Sequence, residues 1–240
     1  MPTAAAKTPP TRAETPEIGP DFRHVAHWVF DLDHTLYTAD EACHSAVEQR
    51  ICQFVQRHLD LEQAPAFEIQ KRYLREMGST LAGLAKFHGV DIEAYHDYVN
   101  DLDELQLKAN PLLRQAIERL PGRKLVFTNN CGRFANQVLA TLGIGDLFTD
   151  MVDAKMMSVA PKPMPQAYDM LVAHTGLEPS KAVLFDDSTR NLLPAHALGM
   201  TTVWVNAASP WAKQGLHAKD TRHVHHEITD LPAFLHSIRI

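Results

Sequence analysis

The sequence predicts an α/β protein: a parallel, Rossmann-like sheet with a helical domain inserted near its start. Three observations carry that prediction. Short apolar runs at residues 25–30, 124–127, 182–185 and 201–205 alternate with amphipathic helical stretches from Pro111 onward, the pattern of βαβ units and a parallel sheet. Three of these runs end abruptly in small polar clusters, as strands do where they reach the ligand-binding edge of such a sheet. Between the first run and the second lie about 70 residues with helical periodicity and no convincing strand, far more than an ordinary connection.

Taken in order, residues 1–22 are rich in Pro, Thr, Ala and charge and carry almost no large apolar side chains, so they read as a disordered leader. The first strand follows. Val47, Ile51, Phe54, Val55 and Leu59 then recur at helical spacing and predict a helix over 40–59. Another begins near Ala66 and carries Ile69, Tyr73, Leu74 and Met77. Gly78-Ser79-Thr80 interrupts it; Leu81, Leu84 and Phe87 resume the pattern up to Gly89, and a further helix covers 92–99. The plan is thus an α/β core of 23–38 and 108–240 around a helical domain of 39–107. In the core, Pro111 opens a helix with Leu112, Leu113, Ala116, Ile117 and Leu120 as its buried stripe. A helix after the second strand closes at Gly143. Met151-Val152 suggests a third strand, and helices over 165–174 and 191–198 flank the run at 182–185. Thr201 to Val205 is a β-branched strand.

Composition narrows the function. With 240 residues, 45% apolar and 22% charged, the chain can build a sizeable globular core. A net charge of −6 speaks against a non-specific nucleic-acid binder. It leaves a phosphorylated substrate open, because a metal ion can supply local positive charge. No window approaches 18 consecutive apolar residues, and the N-terminus lacks the apolar core of a signal peptide. Cys43, Cys52 and Cys131 form no CxxC pair, which suggests reduced thiols and a cytoplasmic setting. The expected protein is a monomer or homodimer with a small-molecule partner, and neither nucleic acid nor membrane.

The polar strand ends are Asp31-x-Asp33-x-Thr35, Thr128-Asn129-Asn130 and Asp186-Asp187-Ser188, with Lys162 held between Pro161 and Pro163. Two carboxylates as close as Asp31 and Asp33 favour a bound cation or a shared proton. The same residues also suit a turn that caps the next helix. Because parallel strands end on one edge, these groups could meet around one small anion. Several carboxylates would repel a phosphate unless a divalent cation neutralised them, and Mg²⁺ suits oxygen ligands combined with phosphate. Lys162 adds a cation and Thr128 a neutral donor. That set suits phosphoryl transfer, where catalysis is mostly positioning and charge stabilisation.

These four motifs, in this order, resemble those of the haloacid dehalogenase superfamily, and the helical domain lies where that superfamily places its type-1 cap. Phe30-Asp31-Leu32-Asp33 with Leu36-Tyr37, the stretch from Tyr73 to His88, Thr128-Asn129 and Phe185-Asp186-Asp187-Ser188 look closest to its pyrimidine 5′-nucleotidase group. His34 departs from the pattern, standing where the superfamily often has Gly and this group often has Asn.

The resemblance implies roles. Asp31 would be the nucleophile, forming an aspartyl-phosphate, and Asp33 the general acid and base. A dehalogenase, whose halide leaves unprotonated, could do without Asp33, so its presence favours a phosphatase. Thr128 and Lys162 would bind phosphoryl oxygens, with Asn129 beside them. Asp187, Asp31, the carbonyl of Asp33 and Asp186, directly or through water, would hold Mg²⁺. In the cap, Gly78-Ser79-Thr80 would dip toward the phosphate, and Tyr73 and Thr80 would contact substrate. Tyr73, Met77 and Phe87 also read, each taken singly, as the cap's own core. The implied activity is Mg²⁺-dependent hydrolysis of a nucleoside 5′-monophosphate. A sugar-phosphate or phosphoglycolate phosphatase, a phosphomutase and a non-catalytic protein retaining the fold are the alternatives. Cys131 reads as a passive buried thiol. His223, His225 and His226 read as a solvated strand face, since they lack acidic partners at ligand spacing.

Overall fold

The computed structural model describes residues 19–38, 41–100, 107–158, 160–206 and 220–240. Most of the leader (1–18), the two junctions of the helical insertion (39–40 and 101–106) and the segment 207–219 lie outside them. Six parallel strands form one sheet in the order β3-β2-β1-β4-β5-β6. They are β1 (His27–Phe30), β2 (Arg123–Phe127), β3 (Asp150–Val152), β4 (Ala182–Asp186), β5 (Thr201–Val205) and β6 (His226–Ile228). Val29 pairs with Leu125 on one side and Leu184 on the other, so the first strand in the chain is central in the sheet.

Alternation along the strands builds two cores. Trp28, Phe30, Val126 and Phe185 face helices α5 (Pro111–Glu118), α6 (Gly132–Leu142) and α10 (Leu231–Ser237). Val29, Leu125, Phe127 and Leu184 face α8 (Pro165–Thr175) and α9 (Thr189–Ala197). The sheet is buried on both faces, as an all-parallel sheet must be. Phe30 and Phe185 stack at 4.8 Å between ring centroids directly below the polar strand ends. This is the parallel, Rossmann-like architecture that the strand–helix alternation implies.

The insertion between β1 and α5 contains α1 (Glu41–Leu59), α2 (Gln63–Met77), α3 (Thr80–His88) and α4 (Ile92–Val99), which enclose their own apolar cluster. Gly78 ends α2 with φ +75° and Gly89 ends α3 with φ +65°, a conformation that glycine adopts without penalty. The insertion meets the core at several points. Arg133 pairs with Asp97, Lys155 pairs with Glu93, and Asn100 hydrogen-bonds to Asn130 at 2.8 Å.

Two expectations need correction. The leader does not extend to residue 22: Phe22 is buried in the core against Trp28, and Asp21 bridges to Arg239. The tail supplies β6 and α10, both short and lacking clear periodicity. Of the histidines there, His225 is exposed as a solvated face requires, but His223 is not and His226 is only partly so. His223 is buried and hydrogen-bonded to the Thr189 carbonyl, His225 Nδ1 accepts from the Thr202 N–H, and His226 packs on Phe22 and Phe234. A short α7 (Ala154–Met157), capped by Asp153, also escapes the sequence reading.

Candidate active site

The polar clusters converge because each stands where its strand stops. The Asp31 N–H donates to the Phe185 carbonyl, extending the β1–β4 ladder by one bond, and the Thr128 N–H does the same to Val152. Beyond these bonds the chains diverge, leaving a cleft of about 190 Å³. Asp31, Asp33, Lys162, Asp187 and Asn129 all line it.

Lys162 is the electrostatic centre. Its ammonium is 1% exposed and lies 2.7 Å from Asp31 Oδ1, 2.8 Å from Asp186 Oδ2 and 5.0 Å from the Phe127 ring centroid. Burial opposes its charge, but the two carboxylates outweigh burial and raise its pKa. The loop that carries it is fixed by Asn129, whose Oδ1 accepts from the Lys162 N–H and whose Nδ2 donates to the Lys162 carbonyl. Asn129 therefore serves the lysine with both ends of its amide.

Asp31, Asp186 and Asp187 are all buried, with one oxygen of each within 4.8 Å of the others. Burial, reinforced by Asp186 and Asp33, pushes the Asp31 carboxyl up to about 7 despite Lys162. The same causes push Asp187 well above the ordinary carboxylate range. Two carboxylates hold one buried ammonium while Asp187 and Asp33 add further negative charge beside them, and a hard divalent cation would relieve their repulsion. The donor set is all oxygen, which fits Mg²⁺. Asp186 is already saturated by Lys162, the Ser188 N–H and Asn191 Nδ2, whereas Asp31 and Asp187 open onto the cleft.

Asp33 is less buried and is held by its neighbours. Tyr37 donates to Oδ1, and Asn130 Nδ2 lies 3.4 Å from Oδ2. Asn130 Oδ1 in turn accepts from Asn100, the residue that ends α4. His34 follows with φ +62° and lines the cleft. That left-handed conformation is one that Gly and Asn accept readily and histidine less so. Burial lowers the His34 pKa.

Thr128 lies beneath the cleft, fully buried, and its hydroxyl oxygen accepts from the Asn130 N–H. Two further expected substrate contacts, both in the insertion, do not reach the cleft either. Tyr73 belongs to the insertion's own core, with its hydroxyl on His88 Nε2 at 2.7 Å and its ring against the Cα of Gly83. Thr80 is buried and donates to the Gln70 carbonyl. The insertion instead lines the cleft through Leu74 and Gly78. Helical periodicity shows which side of α2 is apolar; it does not tell an internal core from a face turned to the site. Arg190 and Asn191 also line the cleft and were not singled out as site residues. An arginine in a helix's first turn, where the dipole disfavours it, is the sequence signal that marks Arg190.

The family model for haloacid dehalogenase-like hydrolases matches residues 28–205, and the chain belongs to that family. It is 26% identical over 190 residues to "Phosphate metabolism protein 8" of Saccharomyces cerevisiae, a match covering 71% of this chain and 58% of that protein. It is 31% identical over 97 residues to "Phosphoglycolate phosphatase" of Haemophilus influenzae, covering 39% of this chain and 42% of that protein. The matches thus span about half the length of these curated relatives. A CbbY variant from Rhodobacter sphaeroides, solved with xylulose 1,5-bisphosphate, shares the fold with a TM-score of 0.61 at 15% identity, over 88% of this chain and 99% of that one. Among the described residues, no helix is long and apolar enough to cross a membrane.

Proposed function

We propose that this protein is a Mg²⁺-dependent phosphomonoesterase that works through an aspartyl-phosphate on Asp31. The observation that carries the reading is the placement of Asp31. Its carboxylate opens onto the cleft, one oxygen is held 2.7 Å from the Lys162 ammonium, and Asp33 stands beside it on the same rim.

In the first displacement an Asp31 oxygen attacks phosphorus, and the bond to the leaving oxygen breaks as Asp33 gives that oxygen its proton. In the second, Asp33 takes a proton from water. The water oxygen attacks the same phosphorus, and the Asp31 carboxylate is released with inorganic phosphate. Lys162 neutralises charge on the nucleophile and the transferring group, and Asn129 fixes the loop that carries it. Thr128 supports the phosphate-binding turn from beneath. Asp31, Asp187 and the Asp33 carbonyl would hold Mg²⁺ with Asp186 behind them, and the ion supplies the positive charge that lets an anionic phosphoryl group approach an anionic carboxylate.

The insertion acts as the cap. On substrate, the nucleoside 5′-monophosphate suggested by the sequence meets two contrary observations. No phenyl, phenol or indole ring lines the cleft among the described residues. Its volume of about 190 Å³ also falls below the roughly 300–1,000 Å³ usual for drug-sized ligands. A small phosphorylated acid or sugar phosphate is the reading these observations favour, and the name of one relative, phosphoglycolate phosphatase, accords with it. Phosphate release would be measured with and without Mg²⁺ across UMP, CMP, AMP, phosphoglycolate and several sugar phosphates, for the parent protein and Asp31→Asn. Mg²⁺-dependent release lost in Asp31→Asn is the expected result. Release that survives Asp31→Asn would end the mechanism, and a clear preference for UMP and CMP would restore the nucleotide.

A further inference from the structure

Arg190 is the cation of the cleft that the proposed mechanism does not use. It is the second residue of α9, half-buried, and lines the same cavity as Asp31 and Lys162. Several other arginines of the chain are paired with carboxylates, among them Arg23 with Asp21, Arg114 with Asp146 and Arg133 with Asp97. Among the described residues, the Arg190 side chain makes no ion pair or hydrogen bond. Its position in the first turn of α9, which has no acidic residue, opposes the helix dipole. Neither helix stability nor a neighbouring carboxylate explains it.

We infer that Arg190 is a specificity-determining residue that binds a second anionic group, a carboxylate or a phosphate, at the end of the substrate away from the phosphoryl group on Asp31. A guanidinium offers a planar fork of donors matched to either anion, and a half-buried one binds with less competition from water. The small cavity and, among the described residues, the absence of a phenyl, phenol or indole ring in its lining set the length: the second anion follows the phosphoryl group after a few atoms. Leu74 and Gly78 from the insertion close the space between, so the spacer is short and carries no bulky ring. The substrate class is therefore a small phosphorylated metabolite that is acidic at both ends. This inference rests on the phosphomonoesterase reading.

A matched trio tests it. Phosphoglycolate and ethane-1,2-diyl bisphosphate carry the second anion as carboxylate and phosphate; 2-hydroxyethyl phosphate has the same length and no second anion. The expected parent protein has a higher kcat/KM for at least one of the charged pair than for the neutral member. In Arg190→Gln that preference falls about tenfold or more, mainly through KM, the scale of a lost charge-assisted contact. Arg190→Lys restores part of it, because the charge returns without the fork. Whichever charged substrate responds identifies the anion. The inference is overturned if the parent shows no preference, if Arg190→Gln leaves the preference intact, or if all three substrates lose turnover alike. If no substrate turns over, the phosphomonoesterase reading fails separately. Calorimetric titration of Mg²⁺-loaded Asp31→Asn protein with the same trio then decides on Arg190: unselective binding, or selective binding that Arg190→Gln leaves unchanged, overturns the inference.

Discussion

Asn100, at the end of a cap helix, donates a 2.8 Å hydrogen bond to Asn130, whose other amide end reaches Asp33. The candidate acid is therefore connected to the cap through one core asparagine. If Asp33 protonates the leaving group, its orientation matters most when that group is a poor one. Asn130→Ala should lower kcat about tenfold on an alkyl phosphate, near the 1.4 kcal/mol of one hydrogen bond to a charged group, and less on an aryl phosphate. Asn100→Ala should shift the same ratio in the same direction by a smaller factor. Equal losses on both substrates would remove the link to proton transfer.

Gly78 sits directly on the loop of Lys162. A Cβ added there would stand 2.7 Å from Pro163 Cδ and 3.0 Å from the Lys162 carbonyl oxygen, at φ +75°. Gly78→Ala combines a backbone penalty of about 1 kcal/mol with a contact that must give way. The expected variant melts earlier and has a raised KM, because the cap can no longer rest on the core. A variant with parent KM would mean that this contact is not kept during turnover.

His96 of α4 is buried, and burial lowers its pKa to about 4 although Asp33 and Asp153 pull the other way. An unfolded histidine titrates near 6.5, so between about pH 6.5 and 4 the unfolded chain binds the extra proton. Stability is then complete above pH 6.5 and falls by up to about 3 kcal/mol as the pH drops to 4. Denaturant titrations of the parent and His96→Gln at pH 7 and 4.5 should show a smaller acid loss in the variant. Parallel losses would assign the acid sensitivity to other groups.

Removing the charges around Lys162 should be asymmetric. Lys162→Met leaves Asp31 and Asp186 buried without their cation, a loss of about 3–5 kcal/mol by the usual cost of breaking a buried pair. Mg²⁺ should raise the melting temperature of the parent and do so weakly, or not at all, in Asp187→Asn. At a hundredfold excess over Kd the stabilisation is about 2.7 kcal/mol. An unchanged melting temperature in the parent across a Mg²⁺ titration would argue against the carboxylate cluster as a cation site.

Asp31, Asp33, Lys162 and Asp187 are legible in the sequence because each is tied to an apolar strand or a rigid proline turn, and parallel strands end on one edge. The helices of the insertion are legible from periodicity, down to the break at Gly78. What the sequence hides is which body a buried face belongs to. Tyr73 has helical apolar spacing whether it packs within the cap or against a ligand, and it packs within the cap. β6 is three residues long and carries His226, so neither length nor hydropathy marks it as a strand. Phe22 is a single aromatic at the end of a proline-rich stretch, and its burial depends on Trp28 nearby and on Phe234, far along the chain.

The central place of β1 has a consequence for how the molecule is made. Its Trp28-Val29-Phe30 run is an early strand on the ribosome, yet one of its edges stays open until Ala182–Asp186 has been synthesised. The helices of the insertion contact mainly one another and can assemble during that wait. Closing so wide a loop is a slow, non-local event, and an apolar strand with an open edge invites pairing with other chains. Yield from the ribosome should therefore depend on chaperone shielding of one short segment more strongly than the finished fold's stability would suggest. Mutations that soften β4 should show first as aggregation of newly made chains and only later as lost activity.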